Sequence, residues 1–177
     1  VLMLIDHLRK RHSIRKYTHD PIDTSKLDTL KEAALRAPSS HNRKPWHFIF
    51  IQDKERLDDL SQCKKQGASF LKHAALAVVV CADSQVSDVW VEDCAIAATF
   101  IQLTAHDLGL GCCWIQIRNR LYAPGISAEQ YIRDLLRLPS SLRVACIQSI
   151  GVSAVSPEPD EHEPLPFEKI HMERYSP

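Results

Sequence analysis

Residues 89–108, which read VWVEDCAIAATFIQLTAHDL, form a long helical pattern that is apolar on most of its sides. A helix of this kind belongs at the centre of a structure or at an interface, because it has no wide polar face to present to water. The glycines of Gly109-Leu110-Gly111 follow it and supply the backbone freedom that ends a helix. The stretch therefore predicts a long buried helix around which the rest of the chain is arranged.

Strand patterns lie on both sides of this helix. Residues 75–82 are continuously apolar with three valines, as in a fully buried strand. Residues 46–51 alternate and are aromatic, which also predicts a strand. Further strands are predicted at 112–117 and 143–152, and helices at 4–11, from Thr24 or Ser25 to Pro38, at 54–66, and from the capping box of Ser127 and Gln130 to Pro139. We expect a single α+β domain over residues 1–177, with a sheet of four to five strands covered by helices.

The composition limits the class of protein. The 177 residues are 45% hydrophobic and 25% charged, and 22 basic residues balance 22 acidic ones. A neutral chain argues against a nucleic-acid partner, which needs a basic excess. No apolar run approaches the roughly 18 residues of a membrane span, so no membrane partner is expected. The six cysteines, mostly inside apolar runs, indicate buried reduced thiols in a cytoplasmic protein. No metal-ligand spacing and no glycine-rich nucleotide loop appears, so we predict no metal site.

Arg11-His12-Ser13-Ile14-Arg15 is the first candidate binding motif. It places two guanidiniums, an imidazole and a hydroxyl within five residues. Arginine can offer a phosphate a bidentate fork and serine a short donor, so the set suits one dianionic phosphate. The alternative is a solvated basic face at the end of helix 4–11, where cations are favoured in any case.

A second polar motif, Pro38-Ser39-Ser40-His41-Asn42, runs into the aromatic strand that starts at Trp46. Taken alone it could be an ordinary loop after a helix. A third stretch, Gly109-Leu110-Gly111-Cys112-Cys113-Trp114-Ile115, joins the long helix to the next strand. Together the three motifs resemble the flavin-binding signature of the nitroreductase family, and the resemblance spans roughly residues 4–175.

The resemblance implies a three-layer sandwich with a mostly antiparallel sheet, assembled as a homodimer with two tightly bound FMN molecules at the interface. Arg11 and Ser13 would hold the FMN phosphate or ribityl chain, Arg15 would lie at the pyrimidine edge, and His12 would contribute by its backbone or ring. The second motif would reach the flavin bound mainly by the other subunit. The implied cofactor-binding residues are Arg11, His12, Ser13, Arg15, Pro38, Ser39, Ser40, Asn42, Gln66, Trp114, Ile115 and Gln116.

The implied activity is that of an FMN-dependent oxidoreductase with ping-pong kinetics. NAD(P)H would give a hydride to the flavin and leave before a nitroaromatic, quinone or related small acceptor is reduced. The cofactor carries this chemistry, so no catalytic side chain is expected. Two alternatives remain open: a specialised flavoenzyme of the same fold (flavin-fragmenting, dehalogenating or azoline-oxidising), and a non-catalytic flavin-binding sensor.

The chain departs from the family pattern in three places. Lys44 stands where Gln is usual, Gln116 follows Ile115 where Gly is usual, and Asp160-Glu161-His162-Glu163 is acidic where many members carry a phosphate-binding cation. Residues 153–177 hold five of the ten prolines and cannot form a core of their own. Their apolar residues predict a final short strand around 170–172 and an extended tail lying on the partner subunit, with a disordered tail as the alternative.

Overall fold

The computed structural model describes residues 3–156 and 164–175. Its five α-helices are α1 (Leu4–Lys10), α2 (Thr24–Leu35), α3 (Lys54–Ser61), α4 (Trp90–Asp107) and α5 (Ala128–Leu136). Its six strands are β1 (Trp46–Ile51), β2 (Leu76–Asp83), β3 (Gly111–Gln116), β4 (Leu121–Ala123), β5 (Ile126–Ser127) and β6 (Leu142–Gly151). Short 3-10 turns occur at Ser40–Asn42, Ser69–His73 and Phe167–Lys169.

The main sheet has four strands in the order β1-β2-β6-β3, and every neighbouring pair is antiparallel. The central strands β2 and β6 are buried on both faces over most of their length, and β2 is accordingly continuously apolar from Leu76 to Ala82. Strands β1 and β3 are the edges. No described segment pairs with the outer edge of β1, whereas Ser13 and Ile14 lie beside the outer edge of β3 and residues 16–18 pair with residues 152–154 just after β6. This α+β arrangement confirms the predicted fold class.

Two hydrophobic cores lie on opposite faces of the sheet. One contains α2 and α4 together with Val78, Val80 and Cys112. The other contains α3 and α5 together with Val79, Cys81 and Ile115. Side chains one residue apart in a strand point to opposite faces, so each strand contributes to both cores. The molecule therefore has three layers, with the sheet in the middle.

Helix α4 is covered by the sheet and by α2. Cys94, Ala97, Ala98 and Ala105 face the core, and their small size lets the helix pack closely against its neighbours. On its outer side Ile96 and Phe100 are each 39% exposed. The sequence predicted a helix buried on most sides, and in a single subunit one stripe that includes Ile96 and Phe100 remains exposed.

Other boundaries also differ from the prediction. Helix α3 ends at Ser61 rather than at residue 66, because the following bend includes Gly67 at a φ of 77°. Helix α1 ends at Lys10, and its apolar residues Leu4, Ile5 and Leu8 are all exposed in the single subunit. The short hairpin of β4 and β5 was not predicted, because strands of three and two residues are too short for an alternating pattern.

The described part of the tail contains no strand within residues 164–175. The predicted short strand around 170–172 is therefore wrong for the single subunit, since the segment forms one 3-10 turn and then a bend at residues 172–174. Leu165, Phe167, Ile170, Met172 and Tyr175 are all at least 65% exposed, so these apolar side chains have no core in their own subunit. The acidic residues 160–163 lie outside the described residues.

Among the helices of the described ranges, none has the length and apolar character needed to cross a membrane.

Candidate functional site

The first motif runs along the free edge of β3. Ser13 forms a parallel bridge with Cys112, and the Ile14 amide donates to the Cys112 carbonyl at 3.0 Å. Ile14 and Tyr17 are buried, whereas Ser13 and Arg15 are exposed. This alternation anchors the segment by its apolar side chains and presents the serine and arginine outward.

Tyr17 fixes the far end of this segment. Its phenol is hydrogen-bonded to the Ser149 hydroxyl at 2.6 Å and donates to the Ile14 carbonyl at 2.6 Å. Burial raises the pKa of Tyr17 well above its usual value, so the phenol stays neutral. The motif therefore lies on a rigid support built from β3 and β6.

Cationic side chains lie close to Cys113 of β3. Arg15 and Lys64 both interact with the thiol of Cys113, and Ser13 hydrogen-bonds to it. Burial raises the pKa of that thiol even though the two cations favour the thiolate. Burial also lowers the pKa of Lys64, with Arg120 acting in the same direction. The Lys64 ammonium donates to the Gln116 carbonyl at 3.0 Å.

The sequence did not identify Lys64 as a site residue, because nothing in the adjacent sequence distinguishes it from other surface lysines. It lies two residues before the predicted Gln66, which is exposed in the bend after α3. Only the fold brings the end of α3 against the edge of β3.

The predicted residues of β3 differ in accessibility. Ile115 is 1% exposed and packs in the core, so only its backbone is available to a ligand. Trp114 and Gln116 are half-buried on the opposite face, where the indole N–H donates to the Gln116 Oε1 at 2.9 Å. The Gln116 amide in turn donates to the Arg118 carbonyl at 2.9 Å. Both polar ends of the Gln116 side chain are thus engaged within the strand and the turn after it.

A cavity of about 290 Å³ lies where α1, α4 and β3 meet. Lys10, Arg11, His12 and His106 supply its basic side chains, and Ser153 and Ser156 its hydroxyls. No acidic residue is among the described residues that line it. The His12 Nε2 atom is buried and has no hydrogen-bond partner, which is costly unless a ligand or water satisfies it. This donor set fits a phosphate group, and therefore the phosphate of FMN.

The second motif is fixed at the other end of α4. The Ser40 amide donates to Asp93 Oδ1 at 2.8 Å, and the Ser87 hydroxyl donates to Asp93 Oδ2 at 2.8 Å. Ser39 Oγ accepts from the Lys44 amide at 2.8 Å. Pro38 and Asn42 are exposed beside these anchored residues.

The structure does not bring the two predicted motifs together within one subunit. His106 lines the cavity beside Arg11, and Asp93 holds Ser40 thirteen residues earlier on the same helix. At 1.5 Å per residue the two positions are separated by about 20 Å along the axis of α4. The two motifs therefore lie near opposite ends of the helix.

The fold and this site define an α+β protein with a cationic, phosphate-compatible sheet edge. The family model described as "Nitroreductase family" matches residues 8–89 and 62–152. The chain belongs to the nitroreductase family, which confirms the family and the oxidoreductase class predicted from the motifs.

Individual relatives agree with this assignment. A solved structure of an FMN-dependent nitroreductase from Clostridium difficile R20291 is 49% identical, with a TM-score of 0.94 over 97% of this chain and 99% of that chain. A protein from Methanothermobacter thermautotrophicus is 31% identical over 97% of this chain and 87% of its own length. It carries the provisional name NADH dehydrogenase/NAD(P)H nitroreductase. An FMN reductase [NAD(P)H] from Bacillus subtilis is 34% identical over 51% of this chain and 36% of its own length.

No group of three or more metal-ligating side chains occurs in the part of the chain that the structure describes.

Proposed function

We propose that the protein binds FMN tightly at the edge of β3 and catalyses ping-pong electron transfer from NAD(P)H to nitroaromatic, quinone or related acceptors. The observation that carries this proposal is the continuous series of phosphate- and flavin-compatible groups from Arg11 to Arg15, next to a cavity whose described lining residues include no acid. The names of the relatives, an FMN-dependent nitroreductase and an FMN reductase using NAD(P)H, support the cofactor and the transient co-substrate.

The residues divide into two regions. Arg11 and His12, with Ser13 beside them, would bind the phosphate and the ribityl chain. Arg15 and Lys64 would lie near the ring, where a cation stabilises the charge that a flavin gains on reduction. When bound, FMN supplies the hydride chemistry. The side chains of this chain bind and orient it and set the local charge.

A homodimer completes the proposed site. Within one subunit the Ser39–Asn42 loop and Arg11 lie near opposite ends of α4, whose anchoring positions Asp93 and His106 are about 20 Å apart along the helix axis. In a dimer, the loop of one subunit can reach the flavin held by the first motif of the other. Exposed apolar side chains on α1, on α4 and in residues 164–175 supply the surface that such a dimer would bury. The outer edge of β1, with which no described segment pairs, would receive the partner's tail.

The visible spectrum of the purified protein tests the cofactor, and anaerobic addition of NADH or NADPH tests the reaction. We expect flavin absorbance that survives gel filtration and is bleached by at least one nicotinamide. A flavin that no nicotinamide bleaches would favour the sensor alternative. A colourless protein without affinity for added FMN would contradict the proposal.

A further inference from the structure

We propose that His106 is a further phosphate-binding residue, which makes FMN affinity depend on pH in a way that riboflavin affinity does not. The inference rests on the proposed function, since it assigns the FMN phosphate to the cavity beside Arg11. None of the three sequence motifs includes His106, because it belongs to the helical pattern of residues 89–108.

The location of His106 supports this role. It lies in the last turn of α4, is half-buried, and lines the cavity together with Arg11 and His12. Its ring meets the ring of His7 edge-on, with 5.7 Å between the ring centroids. The His7 Nε2 lies 3.3 Å from Asp107 Oδ1, so the Asp107 carboxylate at the end of α4 is in contact with His7. His106 is therefore held in place while still facing the cavity.

The charges around His106 explain why an anion would change its protonation. Burial lowers its pKa, and the neighbouring His7, Arg11 and His12 lower it further, whereas Asp107 opposes them. Lys10 lines the same cavity and adds positive charge. In the empty protein the imidazole is thus predominantly neutral at pH 7. A phosphate dianion reverses the local potential, so the imidazole takes up a proton and donates to the phosphate.

The sequence directly after β6 offers no strong cation for this purpose. Residues 153–168 contain no lysine or arginine. Among the described residues, the cationic side chains that line the cavity come from residues 10–12 and from His106. An additional proton on His106 would therefore add positive charge to a site to which residues 153–168 contribute no lysine or arginine.

The sign of the pH dependence follows from this linkage. Because the pKa of His106 is low in the free protein and higher with phosphate bound, FMN binding takes up a proton. FMN affinity should then increase as the pH falls from about 8 toward 6. The phosphate itself gains a proton near pH 6, which opposes the trend at lower pH. Riboflavin has no phosphate and should show neither effect.

The experiment compares FMN and riboflavin dissociation constants between pH 6 and 8.5 for the wild-type protein and for His106→Gln and His106→Asn. The matched control is His19→Gln, which changes an exposed histidine that does not line this cavity. As the pH falls across this range, we expect the ratio of FMN affinity to riboflavin affinity to rise about tenfold in the wild type and in the control. In both His106 variants it should rise by less than about threefold. Calorimetry in two buffers of different ionisation enthalpy should show proton uptake with FMN, reduced in the variants.

The outcomes separate this inference from the proposed function. If neither flavin binds the wild-type protein, the proposed function fails. If FMN binds but the wild type takes up no proton, or if the His106 variants keep the full pH dependence, His106 is not a phosphate ligand and this inference fails alone. Absence of proton uptake in the wild-type calorimetry would overturn the inference even where a variant does not fold.

Discussion

The Ser40 amide donates a 2.8 Å hydrogen bond to the buried carboxylate of Asp93 and so fixes the second motif to the first turns of α4. Asp93 is 2% exposed, and its other oxygen accepts from the Ser87 hydroxyl. His41, Asn42 and Lys44 all have positive φ angles near 50°, a conformation that L-residues adopt only at a cost. One buried side chain thus holds a strained loop in the position proposed to reach the partner's flavin.

Asp93→Asn should loosen this loop. A hydrogen bond to a charged acceptor contributes about 1.5–3 kcal/mol, and the amide group of the variant can replace only part of it. We expect a lower melting temperature, and FMN affinity weakened together with dimer affinity. The matched control is Asp28→Asn, which removes an exposed ion pair with Lys31 and should change stability by less than about 1 kcal/mol. Equal, small effects in both variants would show that Asp93 does not position the loop.

Arg11 and Arg15 should have separable roles. Arg11 lines the phosphate-compatible cavity, so Arg11→Ala removes a charge-assisted pair worth about 1.5–3 kcal/mol. FMN affinity should fall about ten- to a hundredfold, with little change for riboflavin. Equal weakening of both flavins would show that Arg11 does not bind the phosphate.

Arg15 lies beside Cys113 at the edge of β3, so its charge should matter most for the reduced ring. Arg15→Ala should lower the reduction potential of bound flavin and slow its reduction by NAD(P)H more than it weakens oxidised FMN. Spectroelectrochemical titration of the wild type and the variant measures this directly. An unchanged reduction potential would show that Arg15 does not lie at the pyrimidine edge of the flavin.

The thiols of β3 should not take part in turnover. Burial raises the pKa of both Cys112 and Cys113, so neither is a thiolate at neutral pH. Changing both to alanine should leave turnover within about a few-fold, although the Cys112 thiol contacts Gln148 Oε1 at 3.1 Å and its loss should lower stability. A more than roughly hundredfold loss of turnover with FMN still bound would indicate thiol chemistry.

Deleting residues 164–177 should weaken the dimer. Among the described residues of this segment, five large apolar side chains are exposed in the isolated subunit, which is expected if a partner covers them. Analytical ultracentrifugation should show a larger dissociation constant for the truncated chain, together with weaker FMN binding. A truncated chain that remains equally dimeric would contradict the tail-swap proposal.

The sequence predicted elements well where one subunit decides the packing. Strand β2 is buried on both faces, so its apolar composition was sufficient. Prediction failed where the pattern was short or depended on distant contacts. The apolar residues of the tail were expected to form a short strand, but in one subunit those that the structure describes are exposed and form none. His106 and Lys64 belong to the site only because α4 and α3 end beside β3. Such contacts between distant parts of the chain cannot be predicted from a local sequence pattern.

Gly111 is the position where packing and binding can be tested together. A Cβ built there would lie 2.7 Å from Ile14 Cγ2 and 2.8 Å from Ile14 Cβ, too close for both residues to keep their places. Gly111→Ala should therefore push residues 13–15 away from β3, lower stability by about 1–3 kcal/mol and weaken FMN binding.

The control for this change is Gly125→Ala, in the turn between β4 and β5. Gly125 has a φ of 75° and open space around its Cα, so alanine there adds backbone strain of about 1–2 kcal/mol without a clash. Chemical denaturation and FMN titration of both variants separate the two effects. Gly125→Ala should lose stability and keep its FMN affinity. Gly111→Ala should lose both stability and FMN affinity. If Gly111→Ala binds FMN as tightly as the wild type, close packing of Ile14 on β3 is not what places Ser13 and Arg15 for the flavin.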